Sequence, residues 1–557
     1  MNVVGIFVFN RVINRQLNSA SRQKKLMSGV FLTLLVAFWL MLVMNLNFWR
    51  TVWEGVGGWE NDSWLFLATL PFFVLLWIYL LISLLTWGRF TKPVLCLFVI
   101  VSSVVSYFMN SYGILIDATM LENVLQTDPA EATELFNWRL VLWVVLLGVV
   151  PAILISKVPL LVVSWQREIL VKLASTLVVV LGFGFIALAF YQPYASLLRN
   201  HREVRLMLVP SNILLAVNSY AKQQAAASRQ LEIVGADAKR ISESTRIKPR
   251  VMVIVVGETA RAANFGLNGY SRQTTPQLAA LEDTVINFSN VTSCGTATAV
   301  SVPCMFQEVG RSEYREPYRE GLLDIIQRAG MNVLWRDNNS GCKGACDRVP
   351  SEDVSKLKIV ELCSTGECHD EILLHNLQGY LDKLTNDTVI VLHMKGSHGP
   401  AYYRRYPKAF EQFKPVCQES QLDRCSQETI VNAYDNTILY TDYVLAKTIK
   451  LLGEQDKLDT AMWYVSDHGE SLGERGLYLH GIPYAIAPNE QTHVPMVLWM
   501  SQGVEKSVGL SRSCLRLQAN KAVSHDNLFH SVLGFMGVET HTYRAERDIF
   551  RSCRVEN

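Results

Sequence analysis

The sequence predicts two parts of different character: a membrane domain of five transmembrane helices and, after it, an α/β domain lying outside the membrane. Three observations lead there. Of the Asp, Glu, Lys and Arg residues, only 22 fall in the first 200 positions and 80 in the remaining 357, and all eleven histidines lie beyond position 200. Five stretches of the first part reach or nearly reach the length of about 20 apolar residues that a helix needs to cross a bilayer, the fourth by continuing across Lys157. In the second part, short runs of β-branched residues alternate with helical stretches, the pattern of a sheet covered by helices on both faces. The formal net charge of +2 lacks the basic excess of a nucleic-acid-binding domain, so no nucleic-acid partner is expected. A composition that is 50% hydrophobic excludes a disordered chain.

The spans are expected at about 26–49, 63–88, 93–112, 140–160 and 173–191, within a membrane domain of residues 1–195. Arg22, Lys24 and Lys25 precede a full-length apolar stretch, so the first segment reads as a retained anchor and not a cleaved signal. Arg11 and Arg15 add to that basic cluster and place the N-terminus in the cytoplasm. The next loop is acidic (Glu54, Glu60, Asp62), the second basic (Arg89, Lys92) and the third acidic (Asp117, Glu122, Asp128, Glu131, Glu134). Lys157, Arg167 and Lys172 mark the fourth as cytoplasmic. Five crossings then leave everything after Tyr191 outside.

Cysteine usage tests this orientation independently. Cys96 lies in a span, whereas the other ten follow position 290 and form close pairs. The pairs are Cys294-Cys304, Cys342-Cys346, Cys363-Cys368 and Cys417-Cys425, with Cys514-Cys553 left over. An even number at short spacings reads as a disulfide framework in an oxidising compartment such as a periplasm. A structural zinc site is the rival, but no CxxC occurs. Spacing alone does not select one connectivity, and pairing of sequence neighbours is the expectation.

Residues 196–248 are expected to form a bridging helix and linker, because 219–244 is rich in Ala, Gln, Ser and Lys and lacks a broad apolar face. The soluble domain, 249–557, opens with the run Val-Met-Val-Ile-Val-Val at 251–256. Such a run without alternation suits a parallel strand buried on both faces. Residues 388–392 and 461–465 have the same character, with helical stretches at 320–328 and 429–452. Ligands of such sheets bind beyond the carboxyl ends of the strands. There the chain places Glu258, the histidines of 393–399, Asp467 with His468, and Asp337.

Carboxylate and imidazole ligands without thiolate suit zinc or manganese. Glu258, Asp467 and His468 supply three ligands from two strand ends, although Asp467-His468 alone reads equally well as a capped turn. The segment Thr292-Ser293-Cys294-Gly295-Thr296-Ala297-Thr298-Ala299-Val300-Ser301 concentrates hydroxyls between two cysteines. A hydroxyl becomes a nucleophile near neutral pH only when a base or metal lowers its pKa. Composition leaves Thr292, Thr296, Thr298 and Ser301 open.

Four motifs then identify a resemblance: Gly257-Glu258-Thr259-Ala260-Arg261, Cys294-Gly295-Thr296-Ala297-Thr298-Ala299, Gly396-Ser397-His398-Gly399-Pro400 and Ser466-Asp467-His468-Gly469-Glu470-Ser471. Together they resemble the lipid A phosphoethanolamine transferases, which include the enzymes of transferable colistin resistance and belong to the alkaline phosphatase and sulfatase superfamily. The likeness continues through 264–276, 337–343, 478–488 and 524–533 and covers essentially the whole chain. It implies a periplasmic sulfatase-like α/β domain on a multi-pass anchor in the bacterial inner membrane. It implies zinc, one catalytic ion with room for a second, at Glu258, Asp467 and His468, with Thr298 as nucleophile and fourth ligand. Catalytic roles follow for His398, Lys343, Glu470 and His480. Asn123, Thr127, Glu131 and Ser340, together with Lys343, His398 and His480, would bind the substrate. The implied reaction moves phosphoethanolamine from phosphatidylethanolamine to a lipid A phosphate through a covalent threonine intermediate, releasing diacylglycerol and lowering polymyxin susceptibility. Membrane lipids are the expected surroundings and a monomer the expected state.

The sister reading keeps the chemistry and changes the acceptor to an inner-core sugar, glucan or glycoprotein. A sulfatase would need C/S-x-P-x-R, and Cys304-Met305-Phe306 does not supply it. A phosphoglycerol transferase fits the disulfide framework poorly, and a receptor with a dead enzyme domain would have lost ligands that are all present.

Overall fold

The computed structural model describes residues 26–55, 64–127, 129–161, 163–200, 204–227, 231–241, 248–314, 319–364, 367–420 and 422–555. The charge markers Arg11, Arg15, Arg22, Lys24, Lys25, Glu60, Asp62 and Asp128 therefore lie outside the described residues, as do the side chains of Glu54 and Glu131. The chain divides into two compact units. One holds the described residues up to Phe108 together with Trp138–Asn212, and the other Met109–Asn137 together with the described residues from Ile213 onward.

Among the described residues, four helices are long and apolar enough to cross a membrane, Phe66–Leu85, Gly88–Tyr112, Trp138–Lys157 and Trp165–Phe190, all in the first unit except the end of the second of them from Met109. A fifth crossing is counted when Gly29–Met44 and Leu46–Trp53, bent by 63°, are taken as one span. The bend has a local cause. Asn45 leaves helical geometry at φ −113°, ψ 33°. Its buried amide donates to the carbonyls of Leu40 and Val209, 2.9 Å each, and accepts from the Val209 N–H at 2.8 Å. A polar break inside an apolar segment is tolerable only when its groups are satisfied in this way.

The second unit is built on a seven-stranded sheet, its strands numbered here in chain order: β1 Arg250–Gly257, β2 Val285–Phe288, β3 Asn332–Asp337, β4 Ser351–Asp353, β5 Thr388–His393, β6 Asp459–Ser466 and β7 Met496–Met500. Their order across the sheet is β2-β7-β6-β1-β5-β3-β4, with β7 alone running against its neighbours. All of β1 is buried. Met252, Ile254 and Val256 enter one hydrophobic cluster, and Val251, Val253 and Val255 the other. Successive strand residues point to opposite faces, so a strand covered on both sides must be apolar throughout. That is why the run at 251–256 shows no alternation.

One cluster is closed by Leu322–Arg328 and Leu528–Met536, the other by the long helix Gln427–Gly453. The structure joins Cys294 to Cys304, Cys342 to Cys346, Cys363 to Cys368, Cys417 to Cys425 and Cys514 to Cys553. The acidic third loop of the membrane part belongs to this unit. It forms the helices Ala118–Gln126, capped by the Asp117 side chain on Met120 N–H, and Pro129–Leu135.

Candidate active site

β1 and β6 run side by side in parallel and end together, with Gly257 opposite Ser466. The residues that follow, Glu258 on one strand and Asp467 and His468 on the other, are fully buried. Thr259 turns the chain sharply at φ +52° and donates its N–H to Asp467 Oδ1 at 3.2 Å. Beyond β5, Gly396 adopts φ +53°, and a Cβ there would lie 2.6 Å from the Glu258 carbonyl. Only glycine lets that loop close over Glu258, where the Ser397 N–H reaches the same carbonyl at 3.0 Å.

Among the described residues, Glu258, Asp467 and His468 are the group whose ligand atoms could hold a metal ion, all lying within 4.8 Å of one another. His468 Nε2 is 3.4 Å from both Glu258 Oε1 and Asp467 Oδ2. Its other nitrogen, Nδ1, sits 2.9 Å from the Gly469 carbonyl, to which it donates, so Nε2 carries the lone pair toward the carboxylates. Burial, together with His480 beside it, pushes the imidazole down to about 3 and keeps it neutral. Burial and the neighbouring Glu258 push Asp467 well above the usual carboxylate range. Burial opposes ionisation of Glu258 as well, but the imidazoles around it, His398 and His480 among them, hold it below its ordinary value. Asp467 Oδ2 is buried without a hydrogen-bond donor. Two facing carboxylates, one with an unsatisfied oxygen, and a neutral imidazole make a donor set that fits zinc.

Thr298 opens the helix Thr298–Met305. Its hydroxyl lies 3.0 and 3.2 Å from the two Glu258 oxygens and 3.3 Å from His468 Nε2. The other candidate hydroxyls point elsewhere. Thr296 donates to the Ile482 carbonyl at 2.7 Å, Ser301 donates to the Asp467 carbonyl, and Thr292 is exposed on a short strand. Of the four hydroxyls that composition leaves open, that of Thr298 is the one lying against Glu258 and His468.

Two supporting residues escape sequence reasoning. Asn339 donates to Glu258 Oε2 at 2.8 Å and to the Met394 carbonyl at 3.0 Å, and its own N–H is held by Asp337 at 2.7 Å. Burial would raise Asp337, yet the His393 imidazole 3.1 Å away and the Trp335 N–H bring its carboxyl to about 2. His525 accepts the Cys294 N–H at 3.0 Å through Nδ1 and donates through Nε2 to the Ser466 carbonyl at 2.9 Å. It ties the hydroxyl-bearing loop to the end of β6.

Around this centre, the His480 ring centroid is 4.4 Å from that of His468 and 5.7 Å from that of His398. Glu470 accepts from His480 Nδ1 and from the Tyr402 hydroxyl, 3.1 Å each. Lys343 donates to the Ser340 carbonyl at 3.0 Å. Ser340 and Lys343 line a cleft of about 940 Å³ with Gln126, Asn339 and Lys395. Asn123 and Thr127 lie on and just after Ala118–Gln126, where the Thr127 hydroxyl donates to the Asn123 carbonyl at 2.8 Å. That helix packs against Thr298–Met305. The backbone of Glu131 lies in Pro129–Leu135.

Known proteins resemble the chain in both parts. Residues 250–538 match the sulfatase family and residues 74–225 the phosphoethanolamine transferase EptA/EptB family. The chain is 44% identical over 529 residues to phosphoethanolamine transferase EptA of Escherichia coli (strain K12), covering 94% of this chain and 96% of that protein. It is 38% identical over 521 residues to phosphatidylethanolamine transferase Mcr-1 of Escherichia coli, covering 90% and 94%. Among solved structures, the integral membrane protein lipooligosaccharide phosphoethanolamine transferase A (EptA) from Neisseria meningitidis matches with a TM-score of 0.92 at 41% identity. That likeness covers 96% of this chain and 100% of the other.

Proposed function

The chain belongs to the EptA/EptB phosphoethanolamine transferase family, and from that premise we propose that it moves phosphoethanolamine from phosphatidylethanolamine to a phosphate of lipid A. The transfer passes through a phosphoethanolamine ester of Thr298 at a zinc centre and releases diacylglycerol. The observation that supports this most is the Thr298 hydroxyl, 3.0 Å from Glu258 and 3.3 Å from His468 at a buried triad suited to a metal.

Zinc bound by Glu258, Asp467 and His468 would supply the Lewis acidity that lowers the pKa of a hydroxyl beside it. In the first half-reaction the Thr298 Oγ–P bond forms and the bond from phosphorus to the diacylglycerol oxygen breaks. The threonine proton leaves along its hydrogen bond to Glu258, and the freed glycerol oxygen takes up a proton. In the second half-reaction a lipid A phosphate oxygen bonds to phosphorus, and the Thr298 oxygen departs and is reprotonated. Thr298 is the first residue of its helix, and a helix N-terminus favours the negative charge of a phosphoryl group there.

Lys343, His398 and His480 are assigned to the phosphoryl oxygens, where cationic or N–H donors offset growing charge. Glu470 holds His480 by its Nδ1. Asn123, Thr127, Glu131 and Ser340 are assigned to the donor head group, with the Glu131 carboxylate assigned to its ammonium. Each transfer gives lipid A a new cation and weakens its attraction for cationic peptides such as polymyxin. The enzyme works as a monomer in the bacterial inner membrane, its N-terminus cytoplasmic and its catalytic domain periplasmic.

Mass spectrometry of lipid A from Gram-negative cells expressing the chain tests this beside Thr298→Ala. A phosphoethanolamine-sized gain with the native chain alone is the expected result. No gain, with both proteins present in the membrane, would overturn the lipid A assignment and direct the search to core sugar, glucan and protein fractions.

A further inference from the structure

Glu134 lies in the segment between the third and fourth apolar helices, yet its side chain is only 2% exposed and pairs with Arg405, itself 2% exposed. Arg404 approaches the same carboxylate at 3.7 Å. Arg405 is also paired with Glu367, which holds Lys395 at 3.3 Å. The buried charges balance, two carboxylates against one guanidinium and one ammonium. A guanidinium presents its five N–H donors in a rigid planar fork, so two fixed carboxylates at its Nη atoms also fix the direction of its Nε–H. That donor, Arg405 Nε, reaches the main-chain carbonyl of His398 at 2.7 Å.

The same segment rests on two other loops of the site. The Gln126 carbonyl lies 3.5 Å from Lys343 Nζ. Met120 packs so closely on Gly481, beside His480, that a Cβ there would meet its Cε at 2.6 Å. Lys343, His398 and His480 therefore all sit on loops braced by residues 109–137.

We infer that Glu134 is a positioning residue for the transfer, setting the place of His398 through Arg405. The inference rests on the reading that His398 contacts the phosphoethanolamine group. The affected step is charge stabilisation at the reacting phosphorus, so loss should appear in kcat more than in KM.

The test uses full-length Glu134→Gln in lipid nanodiscs containing phosphatidylethanolamine, with zinc content measured. Amide exchange at 395–399 should accelerate on the order of tenfold while 251–256 is unchanged, and kcat should fall on the order of tenfold with KM within about twofold. Lys408→Ala, which removes a pair to Glu411 whose lysine is 74% exposed, should leave both readouts native. Unchanged exchange at 395–399 would overturn the inference, as would faster exchange with native kcat. Should Glu134→Gln not fold, Arg405→Lys keeps the charge but loses the fork, and native kcat in that variant is equally fatal. If the native chain transfers nothing from phosphatidylethanolamine while the exchange response appears, the proposed function fails and the coupling stands.

Discussion

The Thr298 hydroxyl lies 3.0 Å from Glu258 Oε2 across 40 positions of sequence, brought there by the end of a central strand and the start of a short helix. The contact gives the hydroxyl a proton acceptor and the carboxylate a donor, with both residues buried. Thr298→Ser keeps the oxygen and should keep measurable transfer, whereas Thr298→Ala should abolish it. Intact-protein mass spectrometry after incubation with phosphatidylethanolamine should find the phosphoethanolamine adduct on the native and serine forms alone. An adduct on the alanine form would remove Thr298 as nucleophile.

Asn339 should tune the metal without touching it. Its amide occupies one Glu258 oxygen at 2.8 Å and so orients the carboxylate. Loss of such an outer partner typically costs about tenfold to a hundredfold in metal affinity. Asn339→Ala should weaken zinc binding by that amount in competition with a chromogenic chelator. Unchanged affinity would make the contact structural.

Much of this site is legible in the amino-acid sequence. The ends of β1, β5 and β6 stand out because strands buried on both faces are apolar throughout, so the first polar residues after them mark the rim. Four cysteine pairs are legible because short loops bring their ends together cheaply, and Cys514-Cys553, 39 positions apart, follows as the remainder. Asn339, His525 and Arg405 are not legible. A single polar residue contributes to no periodicity, and its meaning lies in a partner far along the chain, as with Arg405 and Glu134, 271 positions apart. The loop charges set residues 117–134 apart as an acidic segment between two apolar helices, but charge cannot say that they belong with the second unit. The reversal of β7 is equally hidden, because a buried antiparallel strand has the same apolar composition as a parallel one.

Metal removal should expose the cost of the facing carboxylates. Burial and Glu258 raise Asp467 well above the usual range, so without zinc its ionised form opposes folding. Asn mimics the protonated acid. Its oxygen can still accept the Thr259 and His468 N–H groups, and its NH₂ replaces the undonated Oδ2. Asp467→Asn should therefore stabilise chelator-treated protein, and destabilise it relative to native when zinc is in excess. Melting curves in both conditions decide. A variant less stable than native in chelator would refute the repulsion.

Two buried histidines should make the soluble domain sensitive to mild acid. His525 accepts the Cys294 N–H and donates to the Ser466 carbonyl, and His530 accepts the Arg544 N–H at 3.1 Å and donates to the Glu308 carbonyl at 3.0 Å. Each is locked neutral, since a second proton would face an N–H donor. Burial pushes both down to about 4. An unfolded histidine titrates near 6.5, so between about 6.5 and 4 the unfolded chain binds protons that the folded one refuses. Stability should fall as pH falls through that window, by up to about 1.4 kcal/mol per pH unit for each histidine, with no further loss from them below it. Asp442, raised to about 7 by burial, works in the opposite sense, so the native slope alone is not diagnostic. The difference between native and His525→Gln isolates one histidine: denaturant unfolding at pH 7, 6 and 5 should show the variant losing less stability on acidification. Parallel pH profiles for the two proteins would mean that His525 accepts a proton in the folded state.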